Sequence, residues 1–190
     1  MKIGLYFGSF NPVHHGHLII ASYVANNTDC QQVWFVVTPQ NPLKSQHSLL
    51  NESHRKHLLD LSIEGDEQLR SSNIEFKLPK PSYTIDTLTY LSEQYPQHTF
   101  AVIMGGDAFT NIKKWKNWQT LINNYPIIIY DRPGFPIDED LLTKCISILK
   151  APLLQISSTL IREMIKKKQP IRYLVPDVVA EEIKNQGYYL

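Results

Sequence analysis

The chain has 190 residues, 43% hydrophobic and 19% charged, which excludes a disordered polypeptide and leaves room for a domain with its own core. Nineteen Lys and Arg against eighteen Asp and Glu give a formal net charge of +1, excluding a generally polybasic nucleic-acid binder. Cys30 and Cys145 are too few for a disulfide scaffold or a Cys-rich zinc site, no run reaches the roughly 18–20 apolar residues of a membrane helix, and the N-terminus meets polar residues too soon for a signal peptide; a soluble cytoplasmic protein with reduced thiols is expected.

The elements alternate along the chain. Ile3, Leu5 and Phe7 begin a strand that ends at Gly8, and Leu18, Ile19, Ala21, Val24 and Ala25 give a helical pattern. Val33 to Val37 is a continuous apolar run, as in a strand covered on both faces. Asn51 suits the cap of a helix through Leu58, Leu59 and Leu61. A weaker strand is expected near Asn73 to Phe76, then a helix opened by Ser82 or Tyr83 with Ile85, Leu88 and Leu91 on one face. Phe100 to Met104 and Ile127 to Tyr130 read as buried strands, and Leu153 to Ile156 as a short late strand. A helix is expected from about Ser158 to Lys167, and a last one from Pro176 that Gly187 ends.

This alternation implies βαβ units in an α/β fold: one doubly wound parallel sheet, a single domain over residues 1–190, and a helical C-terminal appendage from about residue 155. Ligands of such a sheet bind beyond the carboxyl ends of the strands, so chemistry-bearing residues are sought there.

The first strand runs into Gly8-Ser9-Phe10-Asn11-Pro12-Val13-His14-His15-Gly16-His17. Glycine admits close backbone approach to a phosphate, and the N-terminus of the following helix offers free N–H groups and a positive dipole end. His14 and His17, three apart, share a helix face and can donate to phosphate oxygens. A turn with merely solvated histidines is the alternative, and a zinc site lacks a third ligand with evident spacing. Near the other end, Ile156-Ser157-Ser158-Thr159-x-Ile161-Arg162 opens a helix with hydroxyls, amides and a guanidinium; an ordinary capped helix is its alternative. Lys166-Lys167-Lys168 reads as a solvated helix end or as phosphate steering.

The first string, with His14-x-Gly16-His17, resembles the phosphate-binding signature of the nucleotidyltransferase superfamily, whose His-x-Gly-His core class I aminoacyl-tRNA synthetases share. The second resembles the late signature of small nucleotidyltransferases. Pro81-Ser82-Tyr83-Thr84-Ile85-Asp86-Thr87-Leu88 closely resembles a segment of bacterial nicotinate mononucleotide adenylyltransferases that phosphopantetheine adenylyltransferases do not have. The resemblance spans Gly8 to Arg162, with a family-like tail at Tyr173-Leu174-Val175-Pro176, and departs from it at Asn11, where many members carry Asp.

That resemblance implies a Rossmann-like fold and the joining of ATP to nicotinate mononucleotide, giving deamido-NAD and pyrophosphate for NAD biosynthesis. It implies catalytic roles for His14, His17, Lys44 and Arg162. ATP would meet Gly8, Ser9, Phe10, His14, His17, Gly105, Asp107, Ile156, Ser158, Thr159 and Arg162. The mononucleotide would meet Ser9, Lys44, Tyr83, Thr84, Asp86, Trp115 and Lys116, with Trp115 stacked on the pyridine ring and backbone amides at Thr84 and Lys116 receiving its carboxylate. Trp118 is read as core. Magnesium would arrive with ATP and no dedicated metal site is expected; the partners are these small molecules, with no nucleic acid or membrane. The alternatives are adenylyl transfer to phosphopantetheine or to nicotinamide mononucleotide, and a nucleotide-binding regulator without turnover.

Overall fold

The computed structural model describes residues 1–42 and 49–190; Lys44 lies outside the described residues. Among the described residues, six strands form one all-parallel sheet: β1 (Lys2–Gly8), β2 (Gln32–Val37), β3 (Leu69–Ser72), β4 (Thr99–Gly105), β5 (Ile127–Tyr130) and β6 (Ile146–Leu149), in the order β3-β2-β1-β4-β5-β6. The helices are α1 (His15–Asn27), α2 (Glu52–Ser62), α3 (Thr84–Gln94), α4 (Gly106–Phe109), α5 (Trp118–Asn124), α6 (Ser158–Lys166) and α7 (Asp177–Gln186).

The period of two along each strand sends alternate side chains to opposite faces. Tyr6, Val33, Phe35, Val37, Ala101, Ile103, Ile128 and Tyr130 join one core, shared with Ala21 and Val24 of α1, Leu58 and Leu59 of α2, Ile161 and Ile165 of α6, and Val179 and Ile183 of α7. Ile3, Leu5, Val36, Phe100, Val102, Met104, Ile127 and Ile129 join the other, under Leu88 and Leu91 of α3, Phe109 of α4 and Leu121 of α5. The C-terminal helices therefore help build the sheet's core.

Two expected strands are misplaced. The third strand is Leu69–Ser72, pairing Val33 with Leu69 through Val36 with Ser72, and residues Ile74–Lys77 instead form a 3₁₀ turn. This edge strand buries only Leu69, so its sequence lacks the apolar signal of a central strand. The last strand is Ile146–Leu149, paired with β5 from Ile127 with Ile146 onward. Leu153 and Ile156 belong to a connection that makes no ladder; both pack partly buried against the first core. The short helices α4 and α5 had no counterpart among the expected elements. Caps follow their chemistry: Asn51 accepts from Ser53 N at 2.9 Å, Ser157 accepts from Leu160 N at 3.1 Å, and Gly187 ends α7 at φ 66°.

Candidate active site

After β3 the chain crosses back over β1 to begin β4, so the strand order reverses between β1 and β4. A crevice beyond the carboxyl ends of the strands is expected at such a point. A cleft of about 1340 Å³ occupies it, reached by the ends of β1, β2, β4 and β5 and by the start of α6.

The turn after β1 is built around Phe10, which takes a positive φ of 45°. That conformation costs a bulky residue strain, and packing holds it: the Phe10 ring is buried edge-on to Tyr6, Phe35 and His17, with centroids at 5.8, 5.3 and 5.1 Å. A Cβ at Gly8 would lie 2.7 Å from this ring, so the glycine accommodates Phe10. Asn11 Oδ1 accepts from Leu50 N at 3.1 Å, a hydrogen bond that a carboxylate oxygen would also accept.

Behind this turn lies the fully buried Arg55 of α2. Its Nε donates to Leu50 O at 2.8 Å, and its guanidinium nitrogens donate to Ser9 O, to Thr38 O at 3.0 Å and to Pro39 O at 3.5 Å. One side chain thus clamps the segments that leave β1 and β2. Burial pulls its pKa down from the ordinary arginine value. Sequence reasoning passed over it, although an arginine three and four residues before Leu58 and Leu59 lies in line with an apolar helix face.

His14 and His17 stack with ring centroids 3.7 Å apart. The His14 backbone N donates to His17 Nδ1 at 3.3 Å, which places the proton of a neutral His17 ring on Nε2. Burial, helped by the positive charges of His15 and Arg132, lowers the His14 pKa to about 4. His14 Nδ1 is buried without a hydrogen-bond partner among the described residues. Both rings line the cleft.

The distant signature reaches the same place. Ser158 Oγ donates to Pro12 O at 2.9 Å; Arg162 donates to Asn11 O at 2.8 Å and to Thr159 Oγ1 at 3.3 Å. Ile156, Ser158, Thr159 and Arg162 all line the cleft. Lys166, Lys167 and Lys168 are exposed and absent from its lining, which fits a solvated helix end.

At the end of β4, a Cβ on Gly105 would collide with Asp107 Oδ1 and the Tyr130 ring, so this glycine makes room for the chain's own groups. Asp107 Oδ2 accepts from Arg132 Nη1 at 2.8 Å, and the Tyr6 and Tyr130 hydroxyls meet at 3.2 Å. Arg132 and Lys114 are cleft residues that the sequence reading did not select. Arg132 directly follows a strand apart from Asp131, and the strand-end rule applied there would have found it.

The other wall carries Ser82, Tyr83, Thr84, Trp115 and Lys116. Thr84 and Ile85 begin α3, so their amides lack acceptors within the helix. Trp115 is half-buried, with one side on the second core, and Trp118, half-buried at the start of α5, packs on that core as read. Asp86 is absent from the cleft lining; its carboxylate accepts from Lys116 Nζ at 2.7 and 2.9 Å, and that ammonium sits 4.9 Å above the Tyr83 ring. An exposed pair of this kind adds little stability, but it fixes the Lys116 side chain over the cleft edge. Lys44 is the one expected site residue outside the described residues.

The family model for cytidylyltransferase-like proteins matches residues 5–164. The chain belongs to this family. This cytidylyltransferase-like chain is 47% identical over 189 residues to the probable nicotinate-nucleotide adenylyltransferase of Cytophaga hutchinsonii, covering 100% of this chain and 98% of the relative. It is 47% identical over 191 residues to the protein of the same name from Flavobacterium psychrophilum, covering 100% and 99%. Its fold matches the solved structure of Plasmodium falciparum nicotinic acid mononucleotide adenylyltransferase complexed with NaAD at TM-score 0.84 and 23% identity, covering 99% of this chain and 97% of that one.

Proposed function

We propose that this chain transfers the adenylyl group of ATP to nicotinate mononucleotide, releasing pyrophosphate and forming deamido-NAD for NAD biosynthesis. The observation that carries the reading is the convergence on one cleft of the histidine turn, the Ser158–Arg162 helix start and the Ser82–Thr84 turn. Full-length relatives at 47% identity with the corresponding name support it.

A phosphate oxygen of the mononucleotide attacks the α-phosphorus of ATP in line, a P–O bond forms, and the bond to the β-phosphate oxygen breaks. Such chemistry needs positioning and charge neutralisation more than a protein nucleophile. His14, His17 and Arg162 hold the reacting phosphates, and the backbone amides of Ser158 and Thr159 extend that grip. Gly8, Ser9, Phe10 and Ile156 shape the phosphate end, and Gly105 and Asp107 face the ribose. Lys44 bridges to the mononucleotide phosphate. Trp115 stacks on the pyridine ring, and the amides of Thr84 and Lys116 take its carboxylate, beside Tyr83 and the Asp86–Lys116 pair. Magnesium would arrive with the ATP substrate, with phosphate oxygens and water as its ligands; Asp107, on the ribose side, is engaged by Arg132. Residues 1–190 act as one nucleotidyltransferase domain in the cytoplasm, the part from about residue 155 closing the phosphate end of the cleft.

Pyrophosphate release from ATP with nicotinate mononucleotide, nicotinamide mononucleotide and phosphopantetheine tests this. Turnover is expected with the first, weaker turnover with the second and none with the third. Preference for phosphopantetheine, or no turnover with any acceptor, overturns the reading.

A further inference from the structure

Glu75, in the 3₁₀ turn Ile74–Lys77, is a carboxylic acid only 1% exposed, yet it lines the cleft. Its Oε1 accepts from the Thr87 hydroxyl of α3 at 2.8 Å. The Thr38 and Ser82 hydroxyls lie close enough to favour its charged form, but burial outweighs all three hydroxyls and pushes its pKa up. Glu75 Oε2 and Ser82 Oγ are both buried without a well-aligned hydrogen bond among the described residues.

These contacts meet at one place. Thr38 directly follows β2, Ser82 immediately precedes Tyr83 at the cap of α3, and Thr87 stands in the first turns of that helix. Ser82 N also donates to Gln40 O at 3.0 Å, in the segment after β2. Glu75 therefore sits behind the N-terminus of α3, where a helix offers its free amides to an anion. Moving this anchor would re-aim the amides of Thr84 and Ile85 without touching the phosphate side of the cleft.

We propose that Glu75 is a positioning residue that sets the choice between acid and amide mononucleotides: bonded to Thr87 and packed against Ser82, it holds the first turn of α3 at the angle that suits a pyridine carboxylate. This inference rests on the substrate reading above and deepens it. Asp86 lies nearer in sequence to Thr84, but its carboxylate is exposed and turned to Lys116.

The test compares the wild type with Glu75→Gln, which keeps an acceptor for Thr87, Glu75→Leu, which removes it, and Thr87→Val, which removes the donor alone. Binding of both mononucleotides by calorimetry is measured beside kcat and KM. For Glu75→Leu the preference for acid over amide should fall about tenfold, as loss of one buried hydrogen bond to a positioned group implies. The loss should fall on the KM of the acid mononucleotide and not on kcat or the KM for ATP. Thr87→Val should follow in the same direction, also serving if Glu75→Leu does not fold, and Glu75→Gln should restore most of the preference. A wild type that discriminates and a folded Glu75→Leu or Thr87→Val that discriminates equally well would overturn the positioning role while leaving the substrate reading intact. A wild type without preference would overturn both.

Discussion

Arg162 Nη1 donates to the backbone oxygen of Asn11 at 2.8 Å, joining residues 151 positions apart in the sequence. The same guanidinium reaches Thr159 Oγ1, so two of its nitrogens are fixed in direction before any phosphate arrives. A planar fork can hold two such partners and still present further N–H groups to an anion, whereas an ammonium cannot reproduce that geometry. Arg162→Lys is expected to lower kcat/KM for ATP by roughly 10²-fold, the scale of removing one preorganised donor, in a protein that folds normally. Steady-state kinetics with circular dichroism checks this; wild-type kinetics in the folded variant would remove Arg162 from the phosphate site.

His17 lines the same cleft as Arg162. Its ring is set by stacking on His14 at 3.7 Å and by the hydrogen bond that Nδ1 accepts from His14 N. That bond sets the tautomer and puts the proton on Nε2, the nitrogen that would donate to a phosphate oxygen. His17→Ala is expected to cut kcat by roughly 10²-fold or more in a protein that still folds, with a lowered thermal midpoint because the half-buried ring also packs on Phe10 and His14. A folded His17→Ala enzyme with near-normal kcat would show that the ring has no part in the chemistry.

The sheet and the two segments that meet in the cleft were legible because their signals are local. Val33 to Val37 and Phe100 to Met104 are apolar on both faces, and the two signature strings each contain whole chemical units. What escaped depends on tertiary placement. The polar β3, Leu69–Ser72, owes its place to pairing with β2 at the sheet edge. Leu153 and Ile156 looked like a strand because they are apolar, but they serve the core beneath the cleft without joining a ladder. Arg55 and Glu75 are charged residues in short sequence contexts that do not announce burial; only the fold puts the backbone oxygens of Ser9 and Thr38 around one and the hydroxyl of Thr87 against the other. Arg132 carries no motif of its own, and its bond to Asp107 appears only when β4 and β5 lie side by side.

His14 supplies a pH signature. Its folded pKa of about 4 lies below the ordinary 6.5, so between these values the unfolded chain binds more protons than the folded one. The stability that this group contributes is fully present above about pH 6.5 and is lost as pH falls through 4, on the order of 3 kcal/mol. Triphosphate beside the ring favours its charged form, so ATP binding should take up a proton in that same window. Calorimetry in buffers of different ionisation enthalpy should detect the uptake in the wild type and a diminished one in His14→Asn. Equal uptake in both proteins would assign the proton elsewhere.

Arg55 gives the clearest prediction for stability. Its side chain is fully buried, and its hydrogen bonds run to the oxygens of Ser9, Thr38, Pro39 and Leu50. Arg55→Met fills much of the same volume but leaves those carbonyls without their donor, and buried groups stripped of a charged partner cost about 1–3 kcal/mol each before relaxation. A loss of about 3 kcal/mol is expected, read as a lower urea midpoint at unchanged slope. Because Ser9 and Thr38 adjoin the ends of β1 and β2, the variant's KM for ATP should also rise under conditions where it is fully folded. Lys56→Met is the matched control: the neighbouring ammonium is paired at 2.8 Å with Asp60 one turn along α2 and partly exposed, so its loss should cost no more than about 0.5 kcal/mol. Equal effects of the two substitutions would mean that the Arg55 clamp contributes nothing beyond an ordinary helix-surface cation.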